Sequence, residues 1–386
     1  MNDREARVAL NRLGEPGDVR MSGLVAELGA ERVYTLLRDE REITGIYTDV
    51  AQRLRGLDPA ADLAQADARG IRFVCPGDEE WPSGLDALSG CEPIYRRGGA
   101  PLGLWVRGPL SLREACARAV SVVGSRSATT YGVDVASAIA AHVAGQGFCV
   151  VSGAAFGIDQ AAHRGAIAAP GPTMAVLACG VDRAYPAAHR PLLDYLADNG
   201  LVVSEVPVGC APTRLRFLSR NRLIAALAQG TVVVEAAVRS GALNTASWTV
   251  RLSRVLMGVP GPVTSAPSEG VHELIRSGGA TLVTRGEDVL ELVAPAGEHL
   301  TAPHRGPMRP RDRLSGLDQQ VLDAVPLAQA VPAHSIARTA GLGARVVVST
   351  LSRLRGGGFV EHDEAGWRLG PAALDASLTP SPRRPA

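Results

Sequence analysis

The chain has 386 residues, 40 basic against 39 acidic and a formal net charge of +1, so no strong overall field draws it to nucleic acid or a membrane surface, and such binding must come from a local patch. Every basic residue is Arg, which excludes a Walker-type lysine loop, a Schiff base or a lysyl–nucleotide intermediate and leaves guanidinium as the strong phosphate partner. The six cysteines are scattered without C-x-x-C, the N terminus is charged rather than apolar, and no apolar run approaches the ~20 residues of a membrane span, a pattern that reads as a reducing cytoplasm without zinc or disulfide scaffold.

The length suits two or three domains. Residues 1–68 read as short helices. Val8, Leu10 and Leu13 lead to a break at Pro16-Gly17; Met21, Leu24, Val25 and Leu28 recur at helical spacing; Val33, Leu36 and Leu37 follow; Val50, Leu54 and Leu57 predict one more helix. Such a module suits nucleic-acid binding, protein docking or plain packing. Residues 69–294 change character. Ile71 to Val74 and Leu104 to Val106 predict strands at a sheet edge, with a helical turn after Trp81-Pro82 between them. Ala119 to Val123, bounded by Gly124, predicts a buried strand. A helix carrying Val135, Ile139 and Val143 follows, then a strand at 148–151 and a helix from Gly157 past His163. Further strands are expected at 173–178, 201–203, 231–234, 255–259 and 281–283, with helices around 188–198, 218–228, 244–253 and 270–276. This alternation predicts an α/β, Rossmann-like, doubly wound and mostly parallel sheet that binds ligands at its strand carboxyl ends. Pro295, Pro303, Pro307 and Pro310 mark a linker over 295–316. Residues 317–371 predict three helices and two strands, a winged helix, and 372–386 a disordered tail.

Three stretches carry candidate chemistry. Gly124-Ser125-Arg126 and Ser152-Gly153 are glycine turns after strands, where main-chain amides and a helix N terminus can approach a phosphate; without G-x-G-x-x-G spacing they do not predict a dinucleotide. Arg214, Arg216, Phe217, Arg220, Asn221 and Arg222 form the densest basic run, and Asp and Glu are absent from 206 to 234. Arginines interleaved with an aromatic ring suit a single-stranded nucleic acid, guanidinium on phosphate and ring on base. Ser240-Gly241 to Thr245 is a further small-residue turn into a helix. Tyr185 is a candidate stacking ring. Asp159 with His163, or Glu205 with Glu235, could act as acid–base pairs; capping, pairing with Arg and packing are the commoner roles of such residues.

Together these stretches resemble the DprA (DNA-processing protein A) family: Gly124-Ser125-Arg126 with Tyr131-Gly132; Ser152-Gly153-Ala154-Ala155-Phe156-Gly157-Ile158-Asp159 with Ala162-His163; Gly180-Val181-Asp182 with Tyr185-Pro186; Ser204-Glu205; Phe217 with Arg220-Asn221-Arg222; Glu235; Ser240-Gly241 with Thr245-Ala246; and Val259-Pro260-Gly261. The resemblance implies an extended Rossmann domain flanked by a SAM-like helical domain and a winged helix. It also implies single-stranded-DNA binding, a homodimer, delivery of DNA to the RecA recombinase in natural transformation, and no enzymatic activity, metal or cofactor. The DNA-binding residues it points to are Gly124, Ser125, Arg126, Ser152, Gly153, Phe156, Phe217, Arg220, Asn221, Arg222, Ser240, Gly241 and Thr245. Many members carry Arg where this chain has Phe156, which exchanges a phosphate contact for a stacking ring, and Asn where it has His272.

Two rivals follow from the residues. One is a phosphoribohydrolase on a similar scaffold, whose P-G-G-x-G-T-x-x-E loop is missing here. The other is a regulator binding duplex DNA through Arg338, Arg345, Arg353 and Arg355 of the C-terminal block.

Overall fold

The continuous apolar runs become strands of one sheet because helices cover both of its faces. In the computed structural model, which describes residues 1–39, 53–54, 56–301 and 308–374, nine strands share it: β1 (Ile71–Val74), β2 (Leu104–Arg107), β3 (Ala119–Val123), β4 (Cys149–Ser152), β5 (Thr173–Leu177), β6 (Leu201–Ser204), β7 (Gly230–Val233), β8 (Val255–Gly258) and β9 (Thr281–Leu282). Their order is β1-β2-β6-β5-β4-β3-β7-β8-β9. From β6 across to β9 all neighbours are parallel; β1 and β2 extend the β6 edge in antiparallel fashion. This is the doubly wound, mostly parallel α/β sheet expected.

The topology fixes where a site can lie. From β3 the chain winds outward through helices Thr130–Gly145, Ile158–Ala168 and Arg190–Asn199 to β6, then returns through Arg214–Ala226 to β7 on the other side of β3. The winding direction reverses between β3 and β7, and ligands on open α/β sheets bind outside the strand carboxyl ends at such a point. Two helices start about four residues before the apolar periodicity does. Arg214–Ala226 is capped by Thr213, whose Oγ1 accepts from the Arg216 N–H at 3.2 Å, and Ala266–Arg276 carries Pro267 in its first turn. Caps and polar first turns leave no hydrophobic signal.

Helices Asp3–Leu13, Val19–Leu28, Ala30–Arg38 and Pro59–Asp67 precede the sheet; the helix expected around Val50 and Leu57 falls largely on residues 40–52 and 55, outside the described residues. These helices are not a detached module, since Met1–Thr301 is one compact unit. Val8 shares a core with Phe73 and Trp105. The Trp105 indole donates to Asn11 Oδ1 at 3.0 Å, and Asn11 Nδ2 donates to the Glu205 carbonyl at 2.8 Å. Glu205 also holds Arg222 through two bonds, Nη1 to Oε2 at 2.6 Å and Nη2 to Oε1 at 2.7 Å, while Arg222 Nε donates to the Gly99 carbonyl at 3.1 Å. Arg222 is fully buried.

The second compact unit begins at Ala302. Its described part contains helices Gly316–Asp323, Ala333–Ala340 and Ala344–Gly356, then β10 (Val360–Asp363) and β11 (Gly366–Leu369) paired antiparallel. Val331 bridges to Trp367 beside them, over a core of Val321, Ile336, Val347, Leu351 and Leu354. Helix, helix, helix, strand, strand is the order expected. Pro303, Pro307 and the tail from 375 lie outside the described residues. No described helix is long and apolar enough to cross a membrane.

Removing one partner of a buried ion pair strands the other charge, at a cost of about 3–5 kcal/mol. Arg222→Met is therefore expected to lower the unfolding free energy by about that amount in a denaturant titration; a loss below about 1 kcal/mol would contradict the placement of this pair.

Candidate nucleic-acid interface

The first glycine turn follows β3. Its helix, Thr130–Gly145, is capped by Thr129, whose Oγ1 accepts from the Gly132 N–H at 3.1 Å. Glu235, just after β7, reaches across the reversal point. Its Oε2 accepts from the Thr129 N–H at 2.9 Å and its Oε1 from the Thr129 hydroxyl at 2.5 Å, while its carbonyl accepts from the Ser125 N–H at 2.7 Å. The helix N terminus that a doubly wound domain ordinarily offers to a phosphate thus already holds the chain's own carboxylate. This corrects the expectation for Ser125: its amide is taken, and what the turn projects outward is Arg126.

The second turn, after β4, packs onto the first. Gly157 has φ +76°, and a Cβ there would stand 2.3 Å from the Ser125 carbonyl oxygen. The Ile158 N–H donates to that same oxygen at 3.1 Å. A Cβ on Gly153 would stand 1.9 Å from Arg220 Nη1. Arg220 runs beneath this loop, with Nη1 donating to the Gly153 carbonyl at 2.8 Å and to the Val176 carbonyl at 2.7 Å. Burial draws its pKa down to about 10, with Asp159 opposing, so it remains a cation at neutral pH. Burial likewise pushes the Asp159 carboxyl up, opposed by Arg220.

Above this buried layer three loops converge. The exposed Arg126 places its guanidinium carbon 4.9 Å from the centre of the Phe217 ring. Tyr185 meets the same ring at 5.5 Å, and Arg220 lies 5.8 Å from it on the buried side chain's own helix. Phe156, also exposed, sets its ring 4.6 Å from His189. Nothing in the spacing of 126, 185 and 217, or of 156 and 189, signals these contacts; they follow from parallel strands ending at one rim.

The basic run 214–222 is not one surface. Arg214 is exposed, but Arg216 forms a two-bond pair with Glu15 at 2.8 and 2.7 Å, and Arg220 and Arg222 point inward. Arg222 is a correction to the expected DNA contacts, since Glu205 and the Gly99 carbonyl consume it. So is Ser152, buried with its hydroxyl donating to the Val122 carbonyl at 2.7 Å. Thr245 is buried, and Asn221 spends its amide on the Gly241 carbonyl at 3.4 Å and Asn244 Oδ1 at 3.3 Å. Gly124, Ser240 and Gly241 remain at the surface or partly so.

The suggested acid–base pairs dissolve into structural roles. Glu205 holds Arg222, and Glu235 braces Thr129. His163 is buried with Nδ1 at 2.8 Å from Thr173 Oγ1, whose own hydrogen goes to the Val150 carbonyl at 2.8 Å; Nδ1 of His163 is therefore the donor. Burial, with the neighbouring His189 and Arg220 adding, holds His163 down to about 3. His272 Nε2 sits 3.0 Å from the Gly261 carbonyl. Among the described residues no group of His, Cys, Asp and Glu is placed to hold a metal.

Fold and rim together define an extended Rossmann-like domain whose reversal point is closed by Glu235 and whose neighbouring rim is cationic and aromatic. A profile of the DNA recombination-mediator protein A family matches residues 72–294. A Mycobacterium tuberculosis (strain H37Rv) protein named for DNA processing, DprA, is 43% identical over 363 residues, spanning 93% of this chain and 92% of the relative. DNA processing protein DprA of Streptococcus pneumoniae is 39% identical over 217 residues, 55% of this chain and 74% of the relative. The X-ray structure of the Streptococcus pneumoniae protein superposes with a TM-score of 0.63 at 32% identity, covering 76% of this chain and 99% of that one. The chain belongs to the DNA recombination-mediator protein A family.

His163 titrates near 6.5 when unfolded and about 3 when folded, so between these values the unfolded chain binds the extra proton and stability falls with falling pH. From pH 7 to 5 this group alone costs about 2 kcal/mol. Urea unfolding across that range should show a flatter pH dependence for His163→Gln than for the wild type; identical slopes would contradict the buried neutral imidazole.

Proposed function

We propose that the chain is a single-stranded-DNA-binding recombination mediator that shelters incoming DNA in the cytoplasm and delivers it to a RecA-type recombinase, acting as a homodimer and not as an enzyme. The observation that carries this reading is the exposed Arg126 guanidinium stacked on Phe217 beside Tyr185, at the carboxyl rim of the sheet. Guanidinium neutralises phosphate and an aromatic face accepts a base. A duplex offers phosphates but hides its base faces, so an unpaired strand uses the whole rim. Relatives named for DNA processing and the recombination-mediator family support the same reading.

Within this proposal, Gly124, Ser240 and Gly241 line the strand's path; Gly153, expected there too, is buried over Arg220, which supports the loop from below. Residues 1–68 supply a SAM-like set of helices packed onto the sheet within the first compact unit, 295–316 serve as a linker and 317–371 as a winged helix. Arg338, Arg345 and Arg355 are exposed there, whereas Arg353 pairs with Asp318 at 2.7 Å. Glu235, engaged by Thr129, speaks against the hydrolase alternative.

In filter binding, oligo-deoxythymidine should bind in preference to duplex and weaken as salt rises. Arg126→Ala should lower affinity about tenfold at low salt and reduce the salt slope by about 0.7 for one lost phosphate contact, with an unchanged circular dichroism spectrum. Equal binding by this variant and the wild type would overturn the assignment of the rim.

A further inference from the structure

We infer that Phe156 is a second base-stacking platform of this rim, and that His189 is the positioning residue that fixes it. The inference rests on the reading of the rim as a single-strand site and deepens it. Phe156 is 48% exposed, yet its ring is held. Its ring centre lies 4.6 Å from that of His189, with the two planes at 70°, and His189 is itself buried. Nδ1 of His189 lies 2.9 Å from the Ala154 carbonyl, two residues before Phe156; a carbonyl only accepts, so this nitrogen carries the hydrogen. Ala154 has φ +51°, a left-handed conformation that costs an alanine something and persists only where its surroundings impose it. They do so here. The adjacent carbonyls of Gly153 and Ala154 receive buried donors from Arg220 and His189 respectively.

One short segment sets both ring systems. Tyr185 at its start packs on Phe217, and His189 four residues later packs on Phe156. The rim therefore carries two supported aromatic surfaces, with Arg126 on one of them. A phenyl ring has neither charge nor hydrogen-bond donor, so its ligand is the face of an unpaired base of any sequence. Its share of affinity is insensitive to salt, unlike that of Arg126.

The full chain is titrated with oligo-deoxythymidine and with an abasic strand of equal phosphate count. Phe156→Ala, which alters an exposed ring, should weaken oligo-deoxythymidine binding about tenfold, leave its salt slope unchanged and leave abasic binding unaltered. Trp fluorescence of Phe156→Trp should be quenched by oligo-deoxythymidine beyond any change in the wild type. His189→Ala should weaken binding in the wild type and cost nothing further in Phe156→Ala. Wild-type-like affinity of Phe156→Ala, or equal losses on both strands, would overturn the platform while leaving the single-strand reading in place. Additive losses from the two substitutions would overturn the positioning role. A wild-type chain that binds neither strand would overturn the single-strand reading and this inference with it.

Discussion

Arg220 lies under the loop that follows β4, its Nη1 shared between the carbonyls of Gly153 and Val176. The space it takes is why residue 153 must be glycine. Its charge is why a buried carboxyl, Asp159, can sit at the start of the next helix. Phe217 stands one turn earlier on the helix of Arg220, so the same anchor orients the ring. Arg126 then has an aromatic face to lie against, at a height set by Gly157 pressed onto the Ser125 carbonyl. Cation–ring contacts of this kind contribute about 0.5–1 kcal/mol each at a surface. On the proposed reading their value lies less in stability than in holding a guanidinium and a ring side by side before a strand arrives, which would lower the ordering cost of binding.

Arginine plays two parts in this lysine-free chain. Arg222 is consumed by Glu205, which also accepts from Asn11 and the Gly17 N–H of the N-terminal segment, and Arg216 is consumed by Glu15. Arg126 has a ring for a neighbour and solvent before it. Glu235 supports that division by closing the reversal point between β3 and β7. Its carboxylate on Thr129 satisfies the helix N terminus at which related folds hold a nucleotide phosphate. The exposed side chains at this end are Arg126, Tyr185 and Phe156, with Phe217 half-buried beside Arg126.

Much of the fold is legible in the sequence because buried parallel strands leave continuous apolar runs. Ala119 to Val123 and Thr173 to Leu177 are read directly, and the glycines after them mark where the chain turns back. Helix starts at Arg214 and Ala266 are not legible to the residue, since a cap and a Pro-bearing first turn carry no periodicity. The site is legible in type but not in detail. Residues 214–222 read as one basic face, yet the helix is buried all round from Ser219 onward, so Arg214 in its first turn faces water while Arg222 meets Glu205, the residue after β6. The same limit hides the support of Phe156 by His189, which comes from a loop more than thirty residues away. Pairing that depends on tertiary approach leaves no local trace.

On the proposed reading an unpaired strand lies along the rim formed by the loops after β3, β4 and β5 and the helix Arg214–Ala226. The most direct measurement is photo-crosslinking of the full chain to a single strand containing 5-iodo-deoxyuridine, followed by mapping of the adducts by mass spectrometry. Adducts are expected on Phe217, Tyr185 or Phe156. Adducts confined to residues 316–369, with none on the rim, would contradict that reading.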